Sequence, residues 1–294
     1  MCIRDRGKVL QEAMLANLKQ LNVCAQKGLV ERFDSSIGAN TVLMPFAGKT
    51  QLTPEEAMVA KFPVSGETDD ATAMAFGFTP ALANWSPMHA GAFAVTQSLM
   101  RLAAVGADAR KARLSFQEYF ESLKSNPQSW GKPVAALLGA LSAQMGFGTP
   151  SIGGKDSMSG TFKEYNVPPT LISFAIVQTK ASKTVSAALQ PGQTVYRIAL
   201  PVDGDALPDY RAINRILKTV FEANEGGHMQ AAAVVREGGM AAALFKMCVG
   251  NGVGFAFETA QSEEDLLDVY KRQADGVFDR RICKGKLCDR RRRF

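Results

Sequence analysis

Apolar residues recur at helical spacing through residues 8–22 (KVLQEAMLANLKQLN), and that period predicts a helix. After a glycine-containing loop, TVLMPF reads as extended, and the polar GETDDATAM leads into AFGF as a strand running from edge to core. Residues 86–106 carry the clearest helix signature. Ser86 suits the cap, Pro87 the first turn and Gly106 the stop, while Phe93, Leu99, Leu102 and small alanines form a face suited to close packing on a sheet. Further helices are predicted at about 115–123 and 133–145, followed by a glycine-rich polar loop, GFGTPSIGGKDSMSGTF. Alternating, β-branched segments predict strands at 171–179 (LISFAIVQT) and 194–202 (TVYRIALPV). Helices at about 209–223 and 240–249 and the strand-like VGFAFE complete the pattern. This alternation gives an α+β or α/β class, with a boundary near residues 188–192.

Composition narrows the function classes. Of 294 residues, 46% are hydrophobic and 21% charged, the balance of a globular protein. No apolar run reaches the roughly 18–20 residues of a membrane span, and the polar N-terminal stretch lacks the apolar core of a secretory signal. Cys2, Cys24, Cys248, Cys283 and Cys288 are odd in number and unpaired in spacing, so they read as reduced thiols of a cytoplasmic protein. The net charge of +6 suggests nucleic acid, but ten Lys/Arg against three Asp fall within residues 271–294. The folded body is therefore close to neutral, and neither nucleic acid nor membrane is expected as a partner. From about Asp265 the sequence loses amphipathic period and ends in four arginines. That tail (265–294) and the opening MCIRDR (1–6) both read as non-native text; a disordered basic segment is the alternative for the tail.

Candidate chemistry concentrates in SIGGKDSMSG, residues 151–160. Gly153 and Gly154 remove side-chain bulk, so backbone N–H groups can approach an anion. Lys155 adds a mobile positive charge, Ser157 and Ser159 offer hydroxyls, and Asp156 can take a metal or hold Lys155. The spacing is not that of the nucleotide-binding P-loop, and by composition alone such a loop is more often a surface turn than a site. Asp69 and Asp70 are paired carboxylates suited to magnesium, although neighbours on a strand face opposite ways, so only one would serve; solvated turn acids are the alternative. With His89 and His228 as the two histidines, neither a histidine metal cluster nor a histidine-based triad is legible. Cys24 and Cys248 lack a neighbouring base.

The run IGGKDSMSG resembles the GGKDSMSG signature of phosphoribosylformylglycinamidine synthase in its long, multi-domain form. KGLVERFDSSIGANTVLMPFAGK, LTPEEAMVAKFPV, SPMHAGAFAV, LSFQEYFESL, WGKPVAALLGALSAQM, VPPTLISFAI and GGMAAALFKMCVGNGVG are similar to its second synthetase-like half, over roughly residues 8–258. The resemblance implies a fold like aminoimidazole ribonucleotide synthetase: a synthetase-like N-terminal domain at 7–188, then a truncated C-terminal αβ domain at 189–264. It implies a ligase that uses ATP and Mg2+ to activate formylglycinamide ribonucleotide and glutamine-derived ammonia to form the amidine. It also implies partners, a first synthetase-like half and a glutaminase domain, that carry the catalytic histidine and cysteine, so no turnover is expected from this chain alone.

Residue by residue, Gly154 falls at a nucleotide contact and Ser157 at a substrate contact. Lys155 stands where short members have a metal-binding asparagine, and an ammonium there is expected to bind phosphate instead. Gly153 and Asp156 complete the expected nucleotide and substrate loop. Some long members also hold a structural nucleotide through an Asp, a Glu, an Asn and a second Asp. Asp70 matches the first, as the one expected metal ligand, whereas Gln97, Arg101 and Val234 depart from the others.

Overall fold

The computed structural model describes residues 3–33, 36, 38–258, 266–267 and 285–288; the remainder of the expected leader and basic tail lies outside the described residues. In chain order the first elements are α1 (Ile3–Leu18), α2 (Lys27–Val30), β1 (Thr41–Leu43), β2 (Phe46–Ala47), β3 (Thr53–Pro54), β4 (Met58–Lys61), β5 (Asp70–Gly77), α3 (Pro80–Trp85) and α4 (Pro87–Ala104). Then come β6 (Arg113–Tyr119), α5 (Pro127–Phe147), β7 (Ser151–Lys155), β8 (Thr161–Phe162), β9 (Tyr165–Asn166) and β10 (Thr170–Lys180). The last are β11 (Thr194–Val195), α6 (Tyr210–Glu225), α7 (Gly239–Val249), β12 (Gly254–Phe257) and β13 (Gly285–Cys288).

A six-stranded mixed sheet, ordered β1-β4-β5-β10-β6-β7, carries the architecture. All its pairings are antiparallel except β6 with β7, which are parallel and joined through α5. The strand read as running from edge to core, β5, is interior, paired with β4 and β10. One face of the sheet is covered by α4 and α5. Ala71, Ala73, Ala75, Leu114, Phe116, Leu171 and Ala175 point into that layer and pack with Leu99, Leu102, Ala136 and Ala140. The small residues are required there. A side chain at Gly77 would run into the Ala94 carbonyl, and one at Gly91 or Gly139 into the carbonyl of Ala136 or Met88 on the facing helix. Backbone thus lies against backbone between β5 and α4 and between α4 and α5.

Helix boundaries follow their caps. Ser86 Oγ accepts from His89 N at 3.4 Å, Pro87 occupies the first turn, and Gly106 closes α4 at φ +89°. Asn126 Oδ1 accepts from Gln128 N at 3.0 Å to start α5, earlier than the pattern predicts, and Gly148 ends it at φ +72°. Asp209 caps α6 through Ala212 N at 2.9 Å. Ile213 and Leu217 of α6 belong to the same buried cluster as α4 and β6. A second cluster, Leu189, Met247 and Cys248 with Val195 and Phe255, holds α7 against the following segment.

Three predicted elements are corrected. The segment expected as a helix at 115–123 is strand β6: Leu114, Phe116 and Glu118 are buried in alternation, so period two prevails over the charged residues that imitate a helix. The expected glycine-rich loop is in part a strand, Ser151–Lys155, held by parallel pairing to β6. Of the expected strand at 194–202, Thr194 and Val195 alone are strand.

Candidate functional site

Strand β7 forms an open edge of the sheet, beside the exposed flank of α5. Gln144 ties the two together by accepting from Ser151 N at 2.8 Å. Register then fixes the glycines: Ser115 pairs with Gly153, Phe116 with Gly154 and Gln117 with Lys155. Gly153 has φ +152°, a conformation that side chains resist. At Gly154 a Cβ would stand 2.7 Å from the Phe116 carbonyl oxygen. Both glycines are therefore demanded by the strand itself, and both lie exposed along it.

Beyond Lys155 the chain stays laced to the end of β6. Ser157 N donates to Glu118 O at 3.1 Å, Phe120 N to Ser157 O at 2.8 Å, and Gly160 N to Phe120 O at 2.9 Å. Ser157 and Ser159 share a hydroxyl hydrogen bond of 2.9 Å. Among the described residues, no acid pairs with Lys155. A groove of about 530 Å³ runs beside this strand, within the range of small-molecule sites. Its apolar wall is Val134, Leu137, Leu138 and Leu141 of α5, and its polar wall is Gly153, Gly154, Lys155, Asp156 and Glu118. The structure thus brings four of the five expected loop residues to one groove, with Ser157 at the adjoining turn.

Glu118 is the groove residue that the sequence reading missed, because a helix was predicted there. Its residue is 6% exposed, and its Oε2 is buried without a hydrogen-bond partner. Burial, and then the nearby charge of Asp156, push its carboxyl up to about 7. The alternation of Leu114, Phe116, Glu118 and Phe120 in RLSFQEYF is the signal that would have found it.

Asp70 is not gathered into this groove. Through the paired registers, Gly154 lies level with Phe116, Ser173 and Gly77, at the opposite end of β5 from Asp70. That offset is roughly 23 Å at the usual strand rise. Lys180 Nζ instead donates to Asp70 Oδ1 at 2.7 Å, and Asp69 accepts from the backbone N and hydroxyl of Ser182. No cluster of three His, Cys, Asp or Glu suited to a metal occurs among the described residues.

The other three positions read against a structural nucleotide lie elsewhere. Gln97 Oε1 accepts from Phe78 N at 2.7 Å. Arg101 is buried, donating to Glu56 Oε2 and to the Phe76 carbonyl at 3.0 Å each, with its guanidinium 4.4 Å from the Phe76 ring centre. Val234 N donates to Glu56 Oε1 at 3.2 Å, and Arg236 approaches Glu56 at 3.9 Å. Burial and the charge of Arg236 lower the Arg101 pKa to about 10. A small cavity of about 50 Å³ borders Glu56, Arg236 and Lys246, and Arg236 there already faces the Glu56 carboxylate.

His89 and Cys248 hold structural places. His89 Nδ1 meets Ser86 Oγ at 2.8 Å, its Nε2 meets the Asp205 carbonyl at 3.0 Å, and its ring lies tilted against Trp85, with centroids 4.8 Å apart. Burial pushes the Cys248 thiol up to about 11, which suits packing rather than nucleophilic work. Cys24 is a second free thiol, half-buried.

No protein-family model matches the sequence. Two curated relatives are similar: the phosphoribosylformylglycinamidine synthase subunit PurL of Pyrobaculum aerophilum, 27% identical over 83% of this chain, and that of Methanosarcina mazei, 23% identical over 85%. The chain spans 36% of the length of each. Among solved structures, PurLQS from Thermotoga maritima superposes on 90% of this chain and 41% of its own, with a TM-score of 0.63 at 14% identity. T. maritima PurL complexed with FGAR superposes on 88% of this chain and 39% of its own, with a TM-score of 0.59 at 14% identity. No helix of the described residues is long and apolar enough to cross a membrane. The resemblance first carried by IGGKDSMSG therefore extends across most of the chain: in sequence it is similar to phosphoribosylformylglycinamidine synthase subunit PurL, and it has the PurL fold.

Proposed function

We propose that this chain is the second synthetase-like half of a long-form phosphoribosylformylglycinamidine synthase, the ATP-dependent ligase that converts formylglycinamide ribonucleotide to its amidine. The observation that carries the reading is the glycine strand. Gly153 and Gly154 leave backbone exposed on an open sheet edge, next to Lys155 and a groove with an apolar wall. That arrangement suits a phosphorylated ligand, with Lys155 as the mobile cation for phosphate and Ser157 at the turn for substrate. Similar structures of T. maritima PurL are complexed with ATP and with FGAR, which favours the same ligands here.

In this reading, phosphoryl transfer to the amide oxygen makes a leaving group, and ammonia derived from glutamine displaces it. Mg2+, when bound, would offset the charge of the phosphates. This chain's own part is to bind, orient and keep water from the reacting groups. The first synthetase-like half and the glutaminase domain would supply the missing catalytic groups, in the cytoplasm, so the isolated chain turns nothing over. A scaffold role is the competing reading, favoured by the self-paired Glu56–Arg101 cluster where a structural nucleotide was sought.

Calorimetry separates the two. ATP–Mg and formylglycinamide ribonucleotide are titrated into this chain mixed with a first synthetase-like half from a relative. Binding weakened at least tenfold by Lys155→Ala with Ser157→Ala is the expected outcome. Undiminished binding in that double variant would reduce this chain to a scaffold.

A further inference from the structure

We propose that Asn251 is a modification site: a guarded asparagine whose conversion to aspartate or isoaspartate unfastens the β2–β3 hairpin from the end of α7. Asn251 is the one asparagine in the chain followed by glycine. Gly252 is exposed, has φ +63°, and a Cβ there would meet nothing within 4 Å, so neither bulk nor burial shields its amide. In the conversion, Gly252 N attacks Asn251 Cγ and the Cγ–Nδ2 bond breaks. The leaving nitrogen takes up the proton that Gly252 N gives up and departs as ammonia, and a cyclic imide remains. Water then opens one or the other imide carbonyl, giving aspartate or the isoaspartyl linkage. The balance is one water taken up and one ammonia released, with no oxidant or reductant.

Three hydrogen bonds guard the native site. Gly252 N donates to Val249 O at 3.2 Å. Asn251 Oδ1 accepts from Lys49 N at 3.0 Å, and its Nδ2 donates to Leu189 O at 2.9 Å. The side chain is thus held at both ends and cannot swing onto Gly252 N until the turn opens locally. The same bonds determine what the conversion does. An amide offers both an acceptor and a donor, and an N–H partner opposite a carbonyl partner requires that combination. A carboxylate still accepts from Lys49 N but sets an acceptor against the Leu189 carbonyl, and isoaspartate also lengthens the backbone. The neighbouring bonds form one clasp: Thr50 N donates to Gly250 O at 2.9 Å, Thr53 Oγ1 to Lys246 O at 2.6 Å, Gly250 N to Thr53 Oγ1 at 3.0 Å, and Leu189 N to Met247 O at 2.9 Å. Loss of the Leu189 anchor weakens its companions, because bonds in such a network support one another.

The test uses the full chain, aged in mildly alkaline buffer with and without urea. Peptide mapping by mass spectrometry follows the change from amide to acid at Asn251. Conversion is expected in both, roughly tenfold or more slowly in the native chain, because the turn must first open. The converted chain is then separated from the unconverted by ion exchange, and amide hydrogen exchange is compared between them. The Thr50 and Leu189 amides are expected to exchange about tenfold faster once Asn251 has been converted. Asn251→Asp isolates the aspartate product, and the aged chain, folded when it was modified, serves if that variant fails to fold. No acid at position 251 in the native chain, or conversion as fast as in urea, would overturn the guarded site. Unchanged exchange at Thr50 and Leu189 in the converted chain would overturn the unfastening.

Discussion

Glu56 shows how much depends on single buried charges in this protein. Its carboxylate accepts from Arg101 and from Val234 N, and Arg236 stands close by, so one side chain joins β3, α4 and the segment before α7. Arg101 is 6% exposed and lies over the Phe76 ring. Removing one member of a buried pair leaves the other charge uncompensated, which typically costs about 3–5 kcal/mol, whereas replacing both can be nearly neutral. Arg101→Ala is accordingly expected to lower unfolding free energy in urea by that order. Arg101→Met combined with Glu56→Gln should recover most of the loss. An equal loss in the single and double variants would show that packing over Phe76, and not charge, is what matters.

At the scale of elements, the contact of α4 with α5 depends on missing side chains. Gly91 and Gly139 let the two helices touch through their backbones. Gly139→Val forces them apart, and overpacking of this kind costs about 1–3 kcal/mol. Gly131, in the same helix, has open space beyond its own helix backbone where a Cβ would sit. Gly131→Ala should therefore stabilise α5 by roughly 0.5–1 kcal/mol through helix propensity. Thermal melts of the two variants shifting in opposite directions would bear this out. These elements also show what sequence can and cannot carry. Helices α4, α6 and α7 were legible because a cap, a periodic face and a stop coincide at each. Strand β6 was not, because QEYFESL satisfies a helical spacing locally and its strand character comes from pairing with β10 and β7. That one misreading hid Glu118. The glycines of β7 were legible as chemistry but not as a strand, since only the parallel partner shows that they are extended.

Seen whole, the molecule has a covered and an uncovered side. Opposite α4 and α5, the sheet leaves Met74, Phe76, Tyr119 and Ile176 each at least 37% exposed. An apolar face of this kind commonly marks a partner's place, which agrees with the proposed first synthetase-like half. Without that partner the chain is expected to self-associate. Met74→Lys with Ile176→Lys should shift sedimentation velocity profiles toward monomer; association that persists at the same concentration would locate the sticky surface elsewhere.

The open edge at β7 has a consequence for how such a protein drifts over time. A cradle assembled from peptide groups is indifferent to most side-chain exchange around it. Its requirements are the curvature of two glycines and the hold of the neighbouring strand. Under the proposed phosphate-binding role, mutation can therefore rewrite the surrounding surface while the cradle's shape persists, and recognition can change by altering a single flanking residue such as Lys155. A scaffold of this type lets chemistry be retuned without the backbone being reinvented.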